Sequence, residues 1–273
     1  MKHIISFSGG VGSFMAAKRV IEQYGAENTL LVFTDTKQED EDLYRFVDET
    51  VKKLGADYVY LADGRDIWQV FFDEKYIGNT RNGNCTRELK QKVFREWIEA
   101  NYAPDECIVY LGLDWMEPHR YEKALKHWPP YTVKAPMMDE PYLTKIDMLE
   151  VLEELNIEVP RLYKMGFPHN NCGGACVKAG QGSWKMLLDN MPERYKFHEE
   201  NEQVWQRITG KNNTILRDRT GGKTKPLSLR KFRELLESEQ QLKNECGLKV
   251  NKRKKGQIEL DLDDYGGCGC YPY

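Results

Sequence analysis

The run Ser6-Phe7-Ser8-Gly9-Gly10-Val11-Gly12-Ser13 follows the apolar stretch His3-Ile4-Ile5 near the N-terminus. Glycines so closely spaced weaken both strand and helix, so the chain must turn tightly there. Downstream, Phe14-Met15-Ala16-Ala17 predicts a helix that starts near Ser13 and stops at Gly25. A strand, a glycine loop and a helix in that order form an anion site. The glycines Gly9, Gly10 and Gly12 let the backbone approach closely, the loop N–H groups and the helix N-terminus supply positive potential, and the hydroxyls of Ser8 and Ser13 add donors. The loop lacks the Lys-Ser/Thr ending of a Walker loop and the spacing of a dinucleotide glycine fingerprint. The competing reading is an ordinary strand-to-helix turn.

The next segments predict a parallel α/β sheet. Thr29-Leu30-Leu31-Val32-Phe33 reads as a strand ending in Thr34-Asp35-Thr36, a helix runs through Asp42–Val47, and Tyr58-Val59-Tyr60-Leu61 is a third strand. Ligands of such sheets bind beyond the carboxyl ends of the strands, which singles out Asp35 and Thr36. The alternative for Asp35 is to cap the following helix. In Asn84-Cys85-Thr86-Arg87-Glu88-Leu89-Lys90, a helix predicted to run to Asn101 projects Arg87 and Lys90 one turn apart, where both can meet phosphate oxygens. Cys85, just before that helix and its cations, sits where a thiolate is stabilised. An amphipathic surface helix is the plainer reading. A fourth strand, Val109-Tyr110-Leu111, ends at Gly112, with Asp114, Glu117, His119 and Arg120 after it. Among these His119 reads as a solvated loop residue.

Seven cysteines, an odd number, in a 273-residue chain with no secretory signal or long apolar run point to a reducing, cytoplasmic setting. Cys172-Gly173-Gly174-Ala175-Cys176 and Cys268-Gly269-Cys270 are glycine-flanked pairs suited to thiolate ligation, so Cys172, Cys176, Cys268 and Cys270 are candidate ligands of one metal centre. Iron–sulfur and zinc both suit such thiolates and the spacing does not choose between them, with redox-active or buried thiols as the rest. Cys107 reads as core.

Taken together, these motifs resemble the PP-loop superfamily of ATP pyrophosphatases and phosphoadenylylsulfate reductase relatives, with closest likeness to phage and DNA-phosphorothioation members. The loop resembles the family's SGGxDS element, Cys85–Lys90 its Cys-Thr-x-x-Leu-Lys element, and Gly112 to Arg120 its Gly-x-x-x-x-Glu-x-x-Arg pattern. The resemblance implies a doubly wound, mainly parallel sheet of the adenine nucleotide alpha-hydrolase kind. It implies ATP and Mg²⁺ as ligands, adenosine contacts from Asp35 and Thr36, and Arg120 near the phosphates. It also makes an iron–sulfur cluster the favoured occupant of the cysteines, since several relatives carry one. Glu245-Cys246-Gly247-Leu248-Lys249 is similar to the Glu-Cys-Gly-Leu-His signature whose cysteine attacks sulfur in the reductases, which makes Cys246 a second candidate nucleophile. Gly12 stands where the family has an aspartate near magnesium, so nucleotide binding is more firmly implied than ATP cleavage.

The expected organisation is a nucleotide-binding domain over residues 1–135 and a helical, cysteine-containing region over 136–273. In the second, Thr144 caps a helix to Leu155 with Ile146, Leu149 and Leu152 inward, helices follow at Ser183–Asn190 and Pro192–Ile208, and another opens at Leu227–Leu229. Residues 257–262 alternate as an edge strand would. Net charge is −3, which leaves no global nucleic-acid footprint, but residues 217–255 are locally basic and could meet DNA or RNA. The leading expectation is an ATP-dependent adenylating sulfurtransferase acting on a nucleic acid or small acceptor, with a sulfur-donor protein as a candidate partner. A sulfonucleotide reductase and a non-catalytic nucleotide-sensing or nucleic-acid-binding module are the alternatives.

Overall fold

A computed structural model describes residues 1–79 and 82–246, and these fall into two compact units: residues 1–67 with 85–173, and residues 68–79 and 82–84 with 174–246. The first unit thus continues past residue 135.

The first unit is built on strands β1 (Lys2–Ser6), β2 (Thr29–Asp35), β3 (Asp57–Ala62), β4 (Cys107–Leu111) and β5 (Thr132–Lys134). They form one all-parallel sheet in the order β3-β2-β1-β4-β5. Its helices are α1 (Val11–Tyr24), α2 (Glu41–Leu54), α3 (Val93–Asn101), α4 (Pro118–His127) and α5 (Lys145–Glu154). Every residue of β2 is buried, which explains its unbroken apolar run. Successive residues of a strand face opposite sides, so the adjacent Ile4 and Ile5 feed two separate cores. Ile5, Leu31 and Phe33 pack with Phe14 of α1, Phe46 of α2 and Leu152 of α5. Ile4, Val32 and Val109 pack on the other face with Phe94 and Ile98 of α3 and Ala124 of α4. Helices therefore cover both sides of the sheet. Cys107 is buried in the second core, and burial raises its thiol pKa.

Local chemistry sets the helix ends. Asp40 caps α2 by accepting the Asp42 amide, acids fill the first turn, Lys52 and Lys53 the last, and Gly55 closes it in the left-handed conformation. Asp35 is therefore not the cap. Thr144 caps α5 through a reciprocal box with Asp147. Its inward residues are Met148 and Leu152, whereas Ile146 is 68% exposed. The apolar spacing alone had placed Ile146 inside.

The second unit holds α6 (Gln181–Asn190), α7 (Pro192–Thr209), the hairpin of β6 (Leu216–Asp218) and β7 (Lys225–Leu227), and α8 (Leu229–Cys246). Trp184, Tyr195, Trp205 and Phe71 fill its core. Two wholly buried ionisable groups lie among them. Trp68 donates to His198 Nδ1, and the Glu202 carboxylate accepts the amides of Ile215 and Leu229. Burial lowers the His198 pKa to about 3, with Arg194 adding to the effect. Burial raises that of Glu202 to about 7, although the two amides pull it down, and Glu199 adds to the rise.

The two shifts act on stability in opposite directions. A histidine held neutral makes folding less favourable as pH falls below its unfolded value, near 6.5. A carboxyl held protonated contributes stability below its unfolded value, near 4.3, and loses it as pH rises toward 7. Between about pH 4.5 and 6.5 the terms offset, and below about 4.5 only the histidine term continues. The Glu199 carboxyl, held low by Arg233 against burial, adds to the acid loss. Urea midpoints are expected to be nearly flat from about pH 5 to 6.5 and to fall steeply below about 4.5. A steep rise between pH 5 and 6.5 would show that the Glu202 term is absent.

Candidate nucleotide site at the carboxyl edge of the sheet

The strand order reverses between β1 and β4, and the loops that follow these two strands meet there. This is the switch point at which open α/β sheets bind ligands. Gly9 lies at φ +75°, and a Cβ on it would come within 2.8 Å of Leu43. Gly10 then caps α1, which begins at Val11 rather than near Ser13. The Gly10 carbonyl accepts the amides of Ser13 and Phe14 and the Ser13 hydroxyl, while Ser13 Oγ accepts the Ser8 amide at 3.2 Å. The Ser13 hydroxyl is thus committed to holding the loop. Gly112 packs against the same turn, since a Cβ there would lie 2.8 Å from Ser13 Cα. At Gly12 a Cβ would meet only the Gly112 carbonyl, at 3.6 Å, so crowding does not explain the missing aspartate. Among the described residues the amides of Gly10 and Gly12 have no hydrogen-bond partner, and Gly10 is buried.

Residues from the later part of the first unit close over this loop. Arg161 grips both oxygens of Asp40 at 2.7 and 2.9 Å, and its amide bonds Asp42, which fixes the segment that follows on the start of α2. From that segment the Tyr163 hydroxyl accepts the Val11 amide at 3.3 Å, and Asn170 Nδ2 donates to the Gly9 carbonyl at 3.0 Å. Lys145, at the start of α5, holds its ammonium 5.1 Å from the centre of the Tyr163 ring. Burial lowers its pKa, against the pull of Asp114 and Glu117. Tyr163 and Asn170 carried no signal as site residues in the sequence, because more than a hundred residues separate them from the loop they meet.

The end of β2 is densely bonded. Asp35 is buried and accepts Tyr44, Tyr60 and the Lys37 amide, with the Lys37 ammonium at 3.2 Å. Burial pushes its carboxyl up, but the bonds from Tyr60, the Lys37 amide and Tyr44 outweigh it and hold the pKa below the ordinary value. Thr36 donates to Glu39, a wholly buried carboxylate that also accepts the Lys90 ammonium and the Cys172 amide. Sequence reasoning missed Glu39.

Lys90 consequently differs from its expected place. It is 6% exposed and ion-paired with Glu39 at 2.9 Å, while Arg87 is half-exposed and bonds Glu88. The cause is a π-helical stretch, Arg87–Lys92, between the single turn Asn84–Thr86 and α3. Its i→i+5 bonding widens the turn, so residues three apart no longer share a face. Such stretches cluster at functional sites.

Cys85 is buried in the turn just before this stretch. Arg120, in the first turn of α4, pairs with Glu117, and its buried Nε has no hydrogen-bond partner among the described residues. His119 is exposed. Cys172, at φ +52°, lies in the first unit and Cys176 in the second, and both are thiols rather than disulfide halves. Among the described residues no group of three or more His, Cys, Asp and Glu side chains is arranged to hold a metal ion. Cys268, Cys270 and the 257–262 segment lie outside the described residues, and Cys246 is the last residue of α8. No protein-family model matches the chain, and no curated protein matches it. Among the described residues no helix is long and apolar enough to cross a membrane.

Proposed function

We propose that this chain is an adenine-nucleotide-binding enzyme of the PP-loop kind, with an adenine nucleotide alpha-hydrolase-like fold, that adenylates an acceptor with ATP and couples this to sulfur transfer. One observation carries the nucleotide reading. The buried amide of Gly10 and the amide of Gly12 lack partners in a left-handed glycine turn at the switch point of the sheet. Buried donors are normally satisfied, and an oxyanion satisfies several at once. The triphosphate sits on this loop with Arg120 and Lys145 as its cations, and the adenosine lies toward Asp35 and Thr36.

The acceptor oxygen attacks the α-phosphorus, pyrophosphate leaves, and the acceptor carries AMP. Hydrosulfide then displaces AMP and leaves sulfur on the acceptor. Cys85 is the proposed carrier of that sulfur: its thiolate takes the outer sulfur of a donor protein's persulfide by exchange, and an external dithiol then reduces the Cys85 persulfide, which releases hydrosulfide, restores the thiol and leaves the dithiol as a disulfide. None of these steps needs a metal or iron–sulfur centre. Arg219, Lys223 and Lys225, exposed around the β6–β7 hairpin, favour a nucleic acid as acceptor.

Gly10→Val tests the reading cleanly, because a Cβ at this position meets nothing closer than 3.6 Å. The variant is expected to fold, to lose ATP affinity by about 100-fold or more and to release no AMP and pyrophosphate. Cys85→Ser is expected to keep AMP release and lose sulfur incorporation. Unchanged ATP affinity in Gly10→Val, measured by calorimetry, would sink the nucleotide reading.

A further inference from the structure

We infer that Tyr163 is a ligand-binding residue of the glycine loop, donating its hydroxyl proton to a phosphate oxygen of the bound nucleotide, while Asn170 accepts from the same ligand. This assignment rests on the nucleotide reading above and names the residues that would complete the site.

The stereochemistry of the phenol oxygen carries the first half. It accepts the Val11 amide at 3.3 Å and is also faced by the amide of Asn170. Both neighbours are donors, so the hydroxyl proton must point elsewhere. Among the described residues no acceptor takes it. The hydroxyl lies 3.6 Å from where a Cβ of Gly10 would be, directly beside the unpartnered Gly10 amide. Accepting an amide proton strengthens an O–H as a donor. Burial also pushes the phenol pKa up to about 12, which keeps it protonated at neutral pH.

Asn170 supplies the second, independent observation. It is 1% exposed, and its amide orientation is fixed because the Gly9 carbonyl can only accept. The nitrogen must face Gly9, which leaves Oδ1 buried with no hydrogen-bond partner among the described residues. An unfilled buried acceptor next to an anion loop calls for an O–H donor that arrives with the anion. A ribose hydroxyl and a water on the nucleotide's magnesium ion share that chemistry.

The test is calorimetry on the full chain with ATP, inorganic triphosphate and adenosine, each with and without magnesium, for wild type, Tyr163→Phe and Asn170→Asp. Thermal melts of each variant confirm folding. Tyr163→Phe is expected to weaken ATP and inorganic triphosphate alike by about 10- to 100-fold and to leave adenosine unchanged. Asn170→Asp, which sets a second acceptor against the Gly9 carbonyl and a charge beside the anion, is expected to cost more than about tenfold. If Oδ1 meets a magnesium-bound water, that loss depends on magnesium, and if it meets the ribose, the loss appears with ATP and not with inorganic triphosphate. A folded Tyr163→Phe that binds triphosphate within about twofold of wild type overturns the inference, as does a wild type that binds no triphosphate at all. ATP binding no tighter than inorganic triphosphate, with the Tyr163 effect intact, would instead overturn the adenine reading alone.

Discussion

Glu39→Ala is expected to destabilise the protein by about 3–5 kcal/mol, because it removes a buried carboxylate that pairs with a buried lysine. The Lys90 ammonium, 6% exposed, loses its ion-pair partner, and the Thr36 hydroxyl and Cys172 amide lose their shared acceptor. Set against a typical net stability of about 5–15 kcal/mol, this is a large fraction. Glu39→Gln should fall in between, since it keeps an acceptor but not the charge. Glu39→Ala with Lys90→Met should recover much of the loss, because replacing both partners by apolar groups removes the stranded charge. Urea unfolding measures all three. A loss below about 1 kcal/mol for Glu39→Ala would mean that water reaches Lys90 and that the cluster is not a sealed hub.

Gly9→Val should behave quite differently from Gly10→Val, although the two glycines are neighbours. At φ +75° a β-branched residue pays about 1–2 kcal/mol for the left-handed conformation. Its Cβ also drives into Leu43 and Val47 at 2.8–3.0 Å, adding about 1–3 kcal/mol of overpacking. The expected total is about 2–5 kcal/mol. Nucleotide binding is lost as a consequence of the collapsed loop. Gly10, at φ −96°, carries neither penalty, so its substitution reports on binding and that of Gly9 on folding. Equal melting temperatures for the two variants would contradict the loop geometry.

The covered apolar strands, the glycine turn and the caps at Thr144 and Gly25 could all be read along the chain, because each depends on residues within one turn or one strand of each other. Asp35 was legible as a candidate site residue at a strand end, though not its burial or its ring of Tyr44, Tyr60 and Lys37. Lys90 was misplaced because a sequence does not show a π-helical turn, which arises when tertiary packing outweighs the regular i→i+4 ladder. Ile146 was misplaced for a related reason, since α5 has apolar residues on more faces than its neighbours cover.

Local patterns along the chain were thus enough for a mainly parallel sheet and for a tight glycine turn between its first strand and first helix. Alternating burial and glycine conformations are short-range properties, and they are written locally. Folding in three dimensions adds that Gly112 presses on that loop, that Glu39 joins Lys90 to Cys172, and that Tyr163 and Asn170 close over the loop. Those contacts join residues tens to more than a hundred and fifty positions apart. Their positions follow from how the sheet orders its strands, which no local pattern encodes.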